Sequence, residues 1–241
     1  MFRRHLGTGL ALTLLASFAP GCGRGRDCTK LAEVANRHSA EIAQIEARRS
    51  ETPDTLATDM RALADVAEHG ALDVEGLDLD DEALETHARR YGDTAHGLSE
   101  ASLSYAALME TLAEERDAQG EAESTFRKSG QGLLDACSTA SSACNAVGDV
   151  LRAQPESPEP SKLPALLERY IEALEALELE EGPVANAVGV RVAAAKAYEA
   201  VVRRRVDLDD EVDEARGRIH AAVQKQNALI SELNVMCVGK E

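Results

Sequence analysis

Cys22 lies at the boundary between an apolar N-terminal segment and the charged remainder of the chain. Two arginines precede a mostly apolar run over residues 6–19, and the small residue Gly21 lies directly before the cysteine. A positively charged segment, an apolar segment of this length and small residues at its end form the pattern of a secretory signal peptide. The run is shorter than the roughly 20 apolar residues that a transmembrane helix needs. We therefore predict that residues 1–21 are a signal peptide, so that the mature chain begins at Cys22.

The segment Ala19-Pro20-Gly21-Cys22 resembles the cleavage site of bacterial lipoprotein precursors, although Ala19 stands where that family usually has leucine. The resemblance covers Arg3 to Cys22. It implies that Cys22 carries a diacylglyceryl thioether and often an N-linked acyl chain such as palmitate, and two or more chains anchor a protein stably. Residues 22–27 would then be a lipidated cysteine and a short tether. Ordinary secretion and a twin-arginine signal at Arg3-Arg4 are the alternatives.

Four further cysteines follow, namely Cys28, Cys137, Cys144 and Cys237. An even number of cysteines in an exported protein predicts two disulfides. Cys137 and Cys144 fall in one predicted helix, about 10 Å apart along its axis. Bonded cysteines have Cα atoms within about 7 Å, so these two are expected to pair with Cys28 and Cys237, in an order that stays open. A zinc site is disfavoured because the chain has no Cys-x-x-Cys pair and no histidine near these cysteines.

Other chemistry-bearing patterns are weak. The six histidines form no His-Glu-x-x-His motif, and His38 falls on an apolar helix face, where a lone histidine is more often core than ligand. The acidic stretch from Asp73 to Glu85 lacks the glycine that an EF-hand loop needs at its sixth position, which favours helix capping and a solvated loop. Phosphate-binding glycine motifs and a haem-attachment motif are absent. The sequence therefore predicts no cofactor, no metal and no catalytic residue.

Charge and composition exclude further classes of function. Residues 22–241 carry 24 basic and 43 acidic residues, a formal net charge of −19. Such a surface repels phosphate backbones, so nucleic-acid binding is excluded. The chain has three Phe, four Tyr and no Trp. Because ligand pockets commonly use aromatic side chains, this scarcity counts against a small-molecule enzyme.

Proline-free stretches rich in Ala, Leu and Glu predict an all-α fold. The first helix is expected over about 28–49. A second, capped by Thr52 with Pro53 at its first position, is expected to end at His69-Gly70. A third is expected to begin after Asp80 as its cap and to break near Gly120. The remaining predicted helices cover about 126–147, 163–182 and 184–236.

The last predicted helix has the clearest pattern. Apolar residues alternate in steps of three and four from Val184 to Met236, which is the heptad pattern of a helix of some 50 residues. The polar exceptions Arg191, Arg205 and Gln226 are expected at the rim, with their charges in water, and a role in setting register or oligomeric state is the alternative. Such an apolar seam needs partner helices, and other helices of the same chain are favoured over a second copy.

We therefore expect residues 28–241 to form an elongated antiparallel helical bundle with coiled-coil-like seams, held at the cell envelope by lipid on Cys22. The function expected is non-enzymatic: an interaction or scaffold module with a membrane anchor and an envelope protein as partner. A spacer between membrane and cell wall is the alternative, although Lys240 is penultimate, whereas wall-linked lipoproteins end in lysine. A small-ligand-binding bundle is the third possibility.

Overall fold

The structure is a computed structural model, and it describes residues 22–48, 52–137, 143–152 and 159–238. Within these residues the chain is all-α, as expected, with no strand. The predicted signal peptide and Lys240 lie outside the described residues. The helices are α1 (Cys22–Glu46), α2 (Pro53–Glu75), α3 (Glu82–Cys137), α4 (Ala143–Arg152), a 3₁₀ turn (Pro160–Lys162), α5 (Leu163–Glu175) and α6 (Pro183–Val238).

The start of α2 is confirmed. Thr52 has extended backbone and its hydroxyl accepts the N–H of Thr55, while the Thr55 hydroxyl accepts the N–H of Thr52. This reciprocal pair satisfies two of the donors that a helix start leaves free, and Pro53 needs none. The cap of α3 is Asp81 rather than Asp80, because Asp81 Oδ1 accepts the N–H groups of Ala83 and Leu84.

Helix α1 begins earlier than expected. Cys22 is its first residue, so residues 23–26 are helical and do not form the expected tether. The two glycines in this segment weaken helix propensity, which is why sequence reasoning left it out. Contacts of Arg24, Arg26 and Asp27 with the loop between α2 and α3 stabilise the helical conformation.

Three predicted helix ends are wrong. Helix α5 ends at Glu175 rather than at Gly182. Helix α2 continues through Gly70 to Glu75, and α3 continues through Gly120 to Cys137. A glycine inside a helix costs only about 1 kcal/mol, which tertiary packing readily offsets. The predicted fourth helix is therefore divided: its first part is the end of α3, and α4 starts only at Ala143.

The chain forms two compact units. The first contains residues up to Glu110 together with those from Val212 onward, and the second contains Thr111–Glu211. The first unit thus holds α1, α2, the first half of α3 and the second half of α6. The second holds α4, α5, the first half of α6 and the second half of α3. Each unit therefore consists of two separate helices, one half of α3 and one half of α6.

Buried positions of the two units correspond at a constant spacing of 100 residues. Leu84 and Ala88 in the first core correspond to Val184 and Val188 in the second. Further core pairs at this spacing are Ala71 with Ile171, Val74 with Leu174, Ala95 with Ala195, Leu233 with Leu133, and Cys237 with Cys137. Both long helices have 56 residues. The two units therefore repeat their buried positions at this spacing, a correspondence that the sequence-based predictions did not include.

The disulfides follow the same plan, and the expected pairing is wrong. Cys28 on α1 bonds to Cys237 on α6, with a Cα–Cα distance of 5.7 Å. Cys137 bonds to Cys144, with a Cα–Cα distance of 5.3 Å. The prediction failed because it placed both cysteines in one helix, whereas α3 ends at Cys137 and α4 begins at Ala143. The expected number of two disulfides is confirmed.

Two of the three polar positions of the α6 seam differ from what was expected. Arg191 has 0% of its surface exposed and Gln226 has 5%, so both lie in the interior rather than at the rim. Arg205 is partly buried. The apolar seam positions Tyr198, Leu208 and Leu229 are buried, as their spacing predicts.

Candidate functional site: the clamped start of α1

The first turns of α1 are fastened to the loop that joins α2 to α3. Asp27, fully buried, accepts the N–H of Asp80 at 2.7 Å and the N–H of Asp81 at 3.1 Å, both with Oδ2. Burial alone would raise the pKa of Asp27, but these two N–H donors, with Lys30 and Arg26, hold that pKa below its ordinary value. The carboxylate is therefore kept charged as an acceptor for the loop.

Basic side chains of α1 neutralise the same loop. Arg26 lies 2.5 Å from the Asp80 carboxylate, and Arg24 Nε lies 3.4 Å from the Asp81 carboxylate. Lys30 donates a hydrogen bond to the Asp78 carbonyl. Each exposed pair contributes at most about 1 kcal/mol, but together they match an acidic loop to a basic helix turn.

Apolar contacts and a covalent bond complete this junction. Leu77 and Leu79 of the loop pack against the core cluster that includes Cys28 and Leu84. Cys28 itself is bonded to Cys237. Cys22, the predicted lipid attachment residue, begins the same helix six residues before this disulfide. The start of α1 is thus held by hydrogen bonds, ion pairs, apolar packing and a disulfide.

A shallow cleft of about 400 Å³ lies beside this junction, between the first turns of α3 and the last turn of α6. Its lining residues are Glu82, Ala83, Thr86, His87, Arg90 and Met236. Burial lowers the pKa of His87, against the opposing effects of the Leu229 carbonyl and Glu232. The imidazole is therefore uncharged near neutral pH, and Nε2 is itself shielded from solvent.

Two other histidines connect helices within the first unit. His38 Nε2 lies 2.8 Å from the Asp73 carboxylate, and the side chain is buried as its apolar helix face predicted. His96 lies between two carboxylates, with Nδ1 at 2.9 Å from Glu68 and Nε2 at 3.1 Å from Glu75. Only the doubly protonated ring can donate to both, and these bonds raise the pKa of His96.

The two units place different polar residues at one equivalent position. In the first unit, Gln226 donates to the hydroxyl of Tyr91 at 2.9 Å in the interior. At the positions 100 residues away, Arg191 corresponds to Tyr91 and Phe126 to Gln226. The Arg191 guanidinium lies 3.4 Å from the Phe126 ring centre, and its Nε donates to the Tyr170 hydroxyl at 2.9 Å. A cation over an aromatic face here replaces an amide–phenol hydrogen bond.

Several of these groups bind one another, whereas Nε2 of His87, beside the cleft, has no hydrogen-bond partner among the described residues. The described residues contain no cluster of three or more His, Cys, Asp and Glu side chains that could hold a metal ion. The buried Asp27, His38 and Arg191 each bind another part of the same chain. Within the described ranges, no helix combines the length and the apolar character that membrane crossing requires.

Sequence-based prediction did not place Asp27 or Arg191 in the interior, because charged residues in a helix are ordinarily exposed to solvent. The signal that could have revealed Arg191 is the 100-residue correspondence, which runs through Leu77-Asp78-Leu79-Asp80-Asp81 and Leu177-Glu178-Leu179-Glu180-Glu181. It aligns Arg191 with Tyr91, a residue of the predicted apolar seam of the third helix, whereas it contains no signal for Asp27.

Comparison with known proteins adds no relative. No family model matches the chain, and neither the curated proteins nor the solved structures contain a match.

Proposed function

We propose that this chain is a lipid-anchored protein of the cell envelope, and that its helical domain is a non-enzymatic module for binding a partner protein. The observation that carries the proposal is the clamped start of α1. If Cys22 is acylated, its lipid chains emerge from the first residue of a helix that is clamped at Asp27 and disulfide-bonded at Cys28. The anchor then holds the first unit close to the bilayer, because no flexible linker separates Cys22 from the clamped helix.

Hydrogen bonds between polar side chains and other parts of the same unit favour a protein-binding role over a catalytic one. Two of the side chains with a shifted pKa are hydrogen-bonded within the same unit, Asp27 to the α2–α3 loop and His96 to α2. A catalytic acid or base needs a proton-transfer partner from the substrate within hydrogen-bond reach. Groups whose partners are supplied by the fold are better suited to keeping a surface rigid.

Intact mass of the protein extracted from membranes tests the anchor. We expect the mass of residues 22–241 plus acyl chains, less the four hydrogens lost in two disulfides. The variant Cys22→Ser should leave the membrane fraction while keeping both disulfides. An unmodified mass, or membrane retention of Cys22→Ser equal to the parent, would refute the lipid anchor.

Crosslinking in intact cells tests the interaction role. The parent should give a discrete crosslinked product with an envelope protein, and Cys22→Ser should lose it because the partner is no longer within reach. Digestion of the cell wall is the matched control, since a spacer would instead carry muropeptide. A protein linked to muropeptide, without any protein crosslink, would favour the spacer.

A further inference from the structure

The cleft between the first turns of α3 and the last turn of α6 contains a buried hydrogen-bonding atom. The His87 side chain lines this cleft and is only 4% exposed, and its Nε2 has no hydrogen-bond partner among the described residues. Burying a polar atom without a partner is costly, and most such atoms in native proteins are satisfied. A ligand atom that occupies the cleft would supply the missing partner.

The neighbours of the His87 ring determine which of its nitrogens carries the proton. The Leu229 carbonyl accepts a hydrogen bond from the ring, and since Nε2 makes none, the donor is Nδ1. Nδ1 also lies 3.8 Å from the Glu232 carboxylate, which is a second acceptor. Burial lowers the pKa of His87, so the ring holds a single proton near neutral pH. Nε2 therefore presents a lone pair and requires a donor from the ligand.

Two other polar groups of the lining are also acceptors. The Thr86 hydroxyl donates its proton to the Glu82 carbonyl, so its oxygen keeps lone pairs with which to accept a hydrogen bond. The Glu82 side chain is exposed and ends in a carboxylate. Arg90, the basic residue of the lining, already donates to the Glu232 carboxylate at 2.9 Å. The cleft therefore combines acceptors with a guanidinium that is engaged by an acid.

Electrostatics at this cleft favours a cation over an anion. Met236 lies in the last turn of α6, where the helix dipole attracts positive charge. The start of α3 would attract an anion, but it already has Asp81 as its cap and Glu82 and Glu85 in its first turn. The whole chain carries a formal net charge of −17, which raises the concentration of cations near its surface.

We propose that this cleft binds a small primary amine in its ammonium form. The three N–H donors of an ammonium group match the acceptors His87 Nε2, Thr86 Oγ1 and the Glu82 carboxylate. A short carbon chain would lie against Ala83 and Met236, and the unbranched, half-buried Met236 side chain can adjust to admit the ligand to Nε2. The inference goes beyond the proposed function, because it requires neither the lipid anchor nor a protein partner.

Side-chain ¹⁵N NMR of His87 in the full chain tests the site, with propylammonium as the probe. The Nε2 signal should move to lower frequency as its lone pair accepts a hydrogen bond, with a dissociation constant on the order of 1 mM for so small a ligand. N-propyl-trimethylammonium has the same charge and carbon chain but no N–H group, so it should leave the signal in place. Propionate, an anion of similar size, should also leave it in place.

Paired variants separate this site from the general acidity of the chain. E82Q should weaken propylammonium binding about three- to tenfold, and T86V, which replaces the hydroxyl by a methyl group, should weaken it about threefold. E85Q is the matched control, because Glu85 is also exposed in the first turn of α3 but pairs with Arg89 and does not line the cleft. Its affinity should stay within about twofold of the parent.

The proposal is overturned if propylammonium leaves Nε2 unmoved, if the trimethylated probe moves it equally, or if E82Q and E85Q weaken binding alike. It is also overturned if K240Q moves the Nε2 signal without ligand, because the partner would then be Lys240 of the chain itself, two residues beyond the end of α6. Vesicles of phosphatidylethanolamine and of phosphatidylcholine test a lipid source. A shift with the first alone, and none with propylammonium, would replace the soluble amine by a lipid headgroup.

Discussion

Single residues show how the two units satisfy buried polar groups in different ways. The Tyr91 hydroxyl and the Gln226 amide form a hydrogen bond in the first unit. At the equivalent place in the second, Arg191 lies over Phe126 and donates to Tyr170. Each solution is a pair, because a buried polar group without a partner is costly. One member of a pair therefore cannot change alone without penalty.

A double-mutant cycle on the first pair measures this dependence. Tyr91→Phe should cost about 1–3 kcal/mol of unfolding free energy, because the Gln226 N–H is then buried without an acceptor. Gln226→Leu should cost a similar amount through the Tyr91 hydroxyl. The double variant should cost less than the sum of the two by about 1 kcal/mol or more. Urea denaturation gives all three values, and simple additivity would contradict the proposed pairing.

His96 predicts a pH dependence with a definite sign. Its pKa is raised by Glu68 and Glu75, so its stabilising effect is complete below the ordinary value near 6.5 and is lost as the pH rises through the raised pKa. Relative to His96→Gln, the parent should therefore lose up to about 1 kcal/mol of stability as the pH rises from about 6 to well above the ordinary pKa of histidine.

The difference between the parent and His96→Gln isolates this group. The pKa of His87 is lowered by burial, so its contribution falls as the medium becomes acidic, but it is present in both proteins and cancels. Curves that stay parallel over the whole range would show that His96 is not held between its two carboxylates in solution.

At the scale of helices, two glycine positions allow the effect of helix propensity on stability to be compared with the effect of packing. Gly70 and Gly97 are both inside helices, where alanine is normally favoured by about 1 kcal/mol. A Cβ on Gly70 would lie 3.1 Å from Cγ of His38, which is fixed by Asp73, whereas a Cβ on Gly97 would meet nothing within 4 Å. Gly70→Ala should therefore be neutral or destabilising.

Gly97→Ala is the matched control and should stabilise the protein by about 0.5–1 kcal/mol. Thermal and urea denaturation of the two variants give the comparison. If both substitutions stabilised the protein equally, the close approach of α1 to α2 at His38 would be refuted.

The same contrast explains which helix boundaries could be predicted. The start of α2 was predicted correctly because Thr52, Pro53 and Thr55 make a purely local cap. The predicted ends at Gly70 and Gly120 were wrong, since a single glycine does not end a helix whose neighbours hold it. The cap of α3 was misplaced by one residue, because the helix begins at Glu82 and the residue directly before it, Asp81, accepts the free N–H groups.

At the scale of the whole chain, the two disulfides close loops of very different length. Cys28 and Cys237 are 209 residues apart in sequence, and Cys137 and Cys144 are 7 apart. The loop-entropy relation gives about 5 kcal/mol for the first and about 2 kcal/mol for the second. Cys28→Ala/Cys237→Ala should therefore destabilise the protein by about 3 kcal/mol more than Cys137→Ala/Cys144→Ala.

Urea denaturation of the two double variants, with the oxidised and reduced parent beside them, measures this difference. Reduction of the parent should lower the thermal midpoint more than either double variant does alone. Equal losses from the two double variants would indicate that the denatured chain stays compact around one pair, and a parent unaffected by reductant would contradict both disulfides.

The amino-acid sequence by itself determined the helical class, the long final helix, the capping of α2 and the number of disulfides. These properties depend on spacing within a few turns and on the parity of the cysteines, and so can be deduced without knowing which helices are neighbours. Only the tertiary structure decided that Cys28 meets Cys237, that Asp27 clamps a loop more than 50 residues away, and that Arg191 is interior. Those outcomes depend on contacts between residues distant in the chain, where packing rather than local preference selects the partner. The 100-residue correspondence combines local and long-range information. Its spacing is present in the sequence, but it is hard to recognise there, because pairs such as Tyr91 and Arg191 share a buried position while their side chains differ chemically.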